Sequence, residues 1–180
     1  MNRKSIYKYA AELGIPVGLY LTAMSACMLL SMKFPFLPVL IVPLAIGFPV
    51  LLWAVMRKIG REEENYMKFS SLWLGGIYTV IFGTLICMLF SSLYIVFVEP
   101  SFVSHYVSHT ISTIESSPMA ADYKAATTLM KSALEARILP SGMEFLTSIA
   151  WFTCFSGSIL SLIWALLIPK FSRKVSRVTE

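Results

Sequence analysis

Four long apolar stretches, 10–32, 36–56, 69–98 and 145–168, constrain this chain more than any other feature. Each exceeds the roughly 18 to 20 residues a helix needs to cross about 30 Å of hydrocarbon. No water is available there, so the backbone of each must satisfy its own peptide groups as a helix. The four occupy most of the 180 residues, leaving no room for a separate soluble catalytic domain. The expected fold is all-α: an integral membrane four-helix bundle forming one domain over 1–180, with an external amphipathic helical hairpin at 99–143 between spans three and four. The content of 57% hydrophobic and 14% charged residues agrees, since soluble domains carry about 25% charged residues. The first stretch is longer than the apolar core of a signal peptide, about 7 to 15 residues, and a second follows at once. It reads as a retained span, with Tyr7 and Tyr9 at the level of an interfacial belt.

Charge sets the expected orientation. Arg3, Lys4 and Lys8 precede span one; Arg57, Lys58, Arg61 and Lys68 separate spans two and three; Lys170, Arg173, Lys174 and Arg177 follow span four. Only Lys33, Lys124, Lys131 and Arg137 fall on the other side. Basic flanks favour the cytoplasm, which places both termini inside. Anionic headgroups of the lipid bilayer then account for the net charge of +5, and no nucleic acid partner is needed.

Span three carries the most regular pattern. Ser71, Gly75, Thr79, Gly83, Cys87 and Ser91 recur every fourth residue and form one ridge of small side chains. Gly14, Gly18, Thr22 and Ala26 repeat it in span one, as do Thr153, Gly157, Ser161 and Ala165 in span four. Small residues let backbones approach closely in lipid. The ridge therefore serves either packing within the bundle or a face kept for a partner subunit or a second copy. Span two carries four prolines. Pro35 and Pro38 sit in its first turn, where proline is tolerated. Pro43 and Pro49 are interior kinks that free the carbonyls of Val39 and Ala45, beside Gly47. Such a bend gives static shape, a hinge or a cavity wall.

Span three is long for a bilayer, and "REEEN" at 61–65 reads as its solvated start, with Glu62, Glu63 and Glu64 favoured by the positive end of the helix dipole. Beyond it, Phe102, Val103, Tyr106, Val107, Ile111 and Ile114 mark one face of a first external helix. A second is expected from Ser117 as N-cap and Pro118 at its first position, with Met119, Tyr123, Met130, Leu134 and Ile138 on one face.

Chemistry is sparse. His105 and His109 share helix spacing and are weak metal candidates, but they lie on a serine-rich polar face with no third ligand fixed beside them. Glu12 is the one carboxylate inside an apolar stretch, and so a possible intramembrane functional group. It is placed to pair with Arg57, bind a headgroup amine or take part in a proton step. Cys27, Cys87 and Cys154 fall inside spans and behave as small apolar residues. No HExxH, GxSxG, P-loop or GxGxxG occurs, and Asp122 is the lone aspartate. The expectation is a protein that is not an enzyme, with no catalytic residues, cofactor or metal.

The chain resembles a bacterial four-span membrane family, domain of unknown function 4199. The likeness rests on a lysine-bearing N-terminus before a Gly-rich span and "REEENYMKFSSLWLGG" leading into the third. It continues with "VEPSF" opening the insert and ends with "FSGSILSLIWALLIPK". The resemblance implies an inner-membrane address and an accessory role in lipid-linked sugar chemistry beside a membrane-bound glycosyltransferase. The leading functional expectation is an accessory subunit that docks or stabilises such a membrane enzyme, with a membrane-protein partner or self-association. The alternative is a small lipid or solute translocator, with Pro43, Gly47 and Pro49 shaping its path and Glu12 at the inner mouth.

Overall fold

The computed structural model describes residues 6–34, 36–62, 69–117, 121–136 and 138–176. They form α1 (Ile6–Leu29), α2 (Leu37–Glu62), α3 (Phe69–Phe97), α4 (Phe102–Glu115), α5 (Lys124–Glu135) and α6 (Gly142–Ser176), with no strand among the described residues. Among the described residues, four segments are long and apolar enough to cross a membrane: Ala10–Leu29, Leu37–Gly60, Phe69–Phe97 and Gly142–Ile168. Arg3, Lys4, Pro35, Glu63, Glu64, Lys68, Pro118, Met119, Arg137 and Arg177 lie outside the described residues.

Glycine decides which helices touch. On α1, a Cβ added at Gly14 would lie 2.7 Å from Phe82 Cβ, and one at Gly18 would lie 2.8 Å from Ile86 Cβ. Reciprocally, a Cβ at Gly83 would meet Val17 Cγ1 at 2.8 Å and the Gly18 amide nitrogen at 3.1 Å. Numbers rise together along the two helices, so α1 and α3 run parallel in backbone contact. The Thr79 hydroxyl, fully buried here, donates to Gly75 O at 2.8 Å and approaches Ala10 O of α1 at 3.4 Å. The ridge of span three is thus covered by α1 within the same chain.

The adjacent stripe of α3 faces α6. A Cβ at Gly76 would lie 2.8 Å from Ser161 Cβ, and one at Gly157 would lie 2.6 Å from Val80 Cγ1. Here the numbers run oppositely, so α6 is antiparallel to α3. The fourth helix, α2, is held against α1 by the Tyr20 hydroxyl, which donates to Leu44 O at 2.6 Å. Gly47 makes that approach possible, because any side chain there would run into the Tyr20 hydroxyl.

Two apolar cores result. One lies toward the end bearing Lys8, Arg57 and Lys58 and centres on Val17, Leu52, Met56, Leu72 and Ala165. The other, of Leu29, Ile95, Phe102, Val103 and Leu146, lies at the opposite end, where α4 covers the bundle. Phe102 is fully buried, its ring 5.8 Å from Tyr106 and 6.3 Å from Phe145. The predicted apolar face of α4 is the face it buries. In turn, α5 packs on α4, with Lys131 Nζ 2.6 Å from Glu115 Oε1.

Several boundaries differ from the sequence expectation. Glu62 is the last residue of α2, because Arg57–Glu62 contains no breaker strong enough to end that helix; it does not open α3. The Ser117 N–H closes the last turn of α4 on Ile114 O at 3.1 Å, and α5 starts at Lys124, after Tyr123 as its N-cap residue. Tyr123 and Ile138 are exposed. The last span begins at Gly142, ahead of 145, through a capping box. The Glu144 N–H donates to Ser141 Oγ at 3.3 Å, and the Ser141 N–H donates to Glu144 Oε2 at 2.8 Å. Pro16 also stands inside α1, a third interior proline that the reading of span two left aside.

Candidate functional site

Between the two cores the four spans do not close completely. They enclose a cavity of about 420 Å³, within the usual small-molecule range of about 300 to 1,000 Å³. Leu21 and Phe48 of the first core line it, as does Leu146 of the second. Methionines supply much of the remaining apolar wall: Met24 and Met28 from α1 and Met88 from α3. Met is flexible and polarisable, so such a wall adapts to its occupant's shape.

One side is formed by α2, around its interior prolines. Ile41, Ala45 and Phe48 face the cavity around Pro43 and ahead of Pro49. Pro49 has no N–H to offer the Ala45 carbonyl, so the helix is weakened where Ala45 borders the cavity. The Tyr20 hydroxyl, donating to Leu44 O one residue earlier, ties that stretch of α2 to α1. Nothing in the sequence pattern singled out Tyr20.

A polar stripe crosses the apolar wall. Ser25 and Ser91 share a hydrogen bond at 2.8 Å across the α1–α3 seam, and Cys87 Sγ lies 3.9 Å from Ser91 Oγ. From α6, the Thr153 hydroxyl donates to Ile149 O at 2.9 Å and that of Ser156 to Thr153 O at 3.2 Å. Thr84 differs from all of these. It is 5% exposed and borders the cavity, and its Oγ1 has no hydrogen-bond partner. Thr84 continues the α6-facing stripe of Gly76 and Val80, where that stripe leaves the close helix contact and meets the cavity.

The residues singled out in the sequence are dispersed. Gly75, Thr79 and Gly83 lie buried, the last two against α1, whereas Cys87 and Ser91 reach the cavity wall and Ser71 is half-buried near the start of α3. Pro43 is exposed and Pro49 half-buried on α2. Glu12 is exposed on α1, well before Leu21, the first cavity residue of that helix. The Arg57 guanidinium sits over the Trp53 ring at 5.3 Å. His105 Nδ1 lies 3.2 Å from Glu99 Oε1, and Glu99 Oε2 accepts from the Tyr94 hydroxyl at 3.3 Å. His109 is exposed. Among the described residues, no group of three His, Cys, Asp or Glu side chains is placed to hold a metal.

An all-helical bundle of four spans, capped at one end by a short helical pair, defines a multi-pass membrane protein with a cavity inside it. The chain belongs to the family described as "Protein of unknown function (DUF4199)", whose model matches residues 12–170. No curated protein and no solved structure matches it.

Proposed function

We propose that this protein is a non-catalytic accessory protein of the bacterial inner membrane that holds a lipid chain for a membrane enzyme. The observation carrying this reading is the one-sided cavity, bordered by all four spans and floored by a packed core. Hydrocarbon transferred from lipid into an apolar cavity of adaptable methionines keeps its apolar surroundings. No carboxylate, imidazole or amine lines the cavity, so its wall offers no general base beside the hydroxyls and the Cys87 thiol.

Lys8, Arg57 and Lys58 at one end support cytoplasmic termini, which puts α4, α5 and the cavity toward the outer leaflet. The family resemblance supplies the class of partner, a glycosyltransferase acting on polyprenyl-linked glycans. Docking must use surfaces other than the α3 ridge, because α1 covers it. The translocator reading has less support: Leu52, Met56 and Leu72 are almost wholly buried below the cavity and would have to part for a solute to pass.

Native mass spectrometry after mild-detergent purification at native expression tests the proposal. A stoichiometric second polypeptide together with a retained lipid is expected. A lone chain carrying lipid would overturn the accessory role and favour transport or lipid sensing. A lone chain without lipid would overturn both parts.

A further inference from the structure

The deepest feature of the cavity that apolar packing leaves unexplained is the Thr84 hydroxyl. Each of the other wall hydroxyls has a hydrogen-bond partner in the chain, as given above. A buried polar group without a partner costs about 1 to 3 kcal/mol, so a ligand able to accept from Thr84 relieves a standing penalty. Depth limits what that ligand can be. Thr84 stands at the middle of α3 (Phe69–Phe97), roughly 15 Å from either edge of the hydrocarbon. Ester and phosphate oxygens of an ordinary phospholipid lie at that edge and do not reach it. A charged headgroup cannot move inward to do so, because the cavity wall contains no charged side chain to receive it.

The way in is also marked. Of the wall residues, Ala45 on α2 and Ile149 and Phe152 on α6 are exposed, Phe152 at 74%. The α1–α3 seam is closed beside the cavity by the Ser25–Ser91 hydrogen bond and the α1–α2 seam by Tyr20 on Leu44 O, while α3 and α6 meet below the cavity at Gly76 and Gly157 and above it at Ile95 and Gly142. At the α4 end, the cluster around Phe102 covers the top. The seam between α2 and α6 is what remains, and it faces lipid.

We infer that the cavity binds one neutral lipid carrying a hydroxyl or carbonyl oxygen, admitted sideways between α2 and α6, with Thr84 donating a hydrogen bond to that oxygen. This rests on the lipid-holding reading and names the class of lipid. Long-chain alcohols and quinone-type lipids belong to that class; phospholipids and plain hydrocarbons do not.

Two photoactivatable probes test this on the full chain in nanodiscs. Both carry the same diazirine-bearing hexadecyl chain, one ending in a hydroxyl and the other in a methyl group. Adducts of both are expected on Met24, Met28 and Met88, with the alcohol half-labelling at the lower mole fraction. Thr84→Val should raise the alcohol's half-labelling fraction about five- to tenfold and leave the alkane's unchanged, while Thr84→Ser restores the wild-type value. Ala45→Trp at the seam should suppress labelling by both. Equal shifts for both probes in Thr84→Val would overturn the hydrogen bond, and unchanged labelling in Ala45→Trp would overturn the lateral portal. Adducts confined to lipid-facing Val39, Leu89 and Trp151 would overturn the site. If native mass spectrometry still found a retained lipid in that case, lipid holding would stand and only its placement in this cavity would fall.

Discussion

Gly83 carries more of the fold than its absent side chain suggests. A Cβ there would press on Val17 Cγ1 and on the Gly18 amide, and the facing element is backbone that cannot swing aside. Gly83→Leu is therefore expected to separate α1 from α3 and destabilise the chain itself by about 1 to 3 kcal/mol or more, read as a lowered melting temperature in detergent. Gly83→Ala should lie between it and the wild type. An unchanged melting temperature for the leucine variant would mean the seam is not closed at this point. Tyr20 makes the opposite contribution, through one atom. Tyr20→Phe keeps the ring and removes the bond to Leu44 O, at a cost of about 0.5 to 1.5 kcal/mol. Amides of 44–48 should then exchange faster with deuterium while those of α3 do not, since the loss is local to α2. The small-residue ridge was legible in the sequence because period four is a backbone geometry. Tyr20 was not, because its partner is a carbonyl 24 positions away.

At the scale of the element, α4 is the helix whose sequence most directly states its place. Phe102, Val103 and Ile111 repeat at helical spacing, and all three are buried beneath the cap. Phe102→Ala should cost about 3 to 5 kcal/mol and loosen α4 from Leu29, Ile95 and Leu146. Limited proteolysis is expected to cut at 99–117 in the variant far sooner than in the wild type, with the four spans left intact. Equal rates would place the holding energy of the cap elsewhere. The second external helix was harder to read. Ser-Pro at 117–118 has the form of a helix start, whereas α5 begins at Lys124, where no such signal stands. The start of α6 did have a signal, Ser141 followed three positions later by Glu144, and the capping box it forms extends that helix beyond its apolar run.

Across the whole molecule, the basic end and the α4–α5 end bear opposite expectations for membrane sidedness. In a background with Cys27, Cys87 and Cys154 replaced by alanine, His109→Cys should react with an impermeant maleimide in intact cells, and Lys58→Cys only after lysis. The reverse pattern would invert the topology and put the cavity in the inner leaflet. The sequence by itself determined the class: four apolar runs long enough to span, short connections, basic flanks and an amphipathic pair of helices. Length and periodicity are properties of a chain segment in a solvent, so they can be read without knowing its neighbours. Tertiary structure alone decided that α1 covers the ridge of α3 and that the outer parts of α2 and α6 leave a seam. It also decided that Thr84, one threonine among several, keeps a hydroxyl with nothing to bind. A cavity is space that several helices fail to fill together, and no single helix carries a pattern for it.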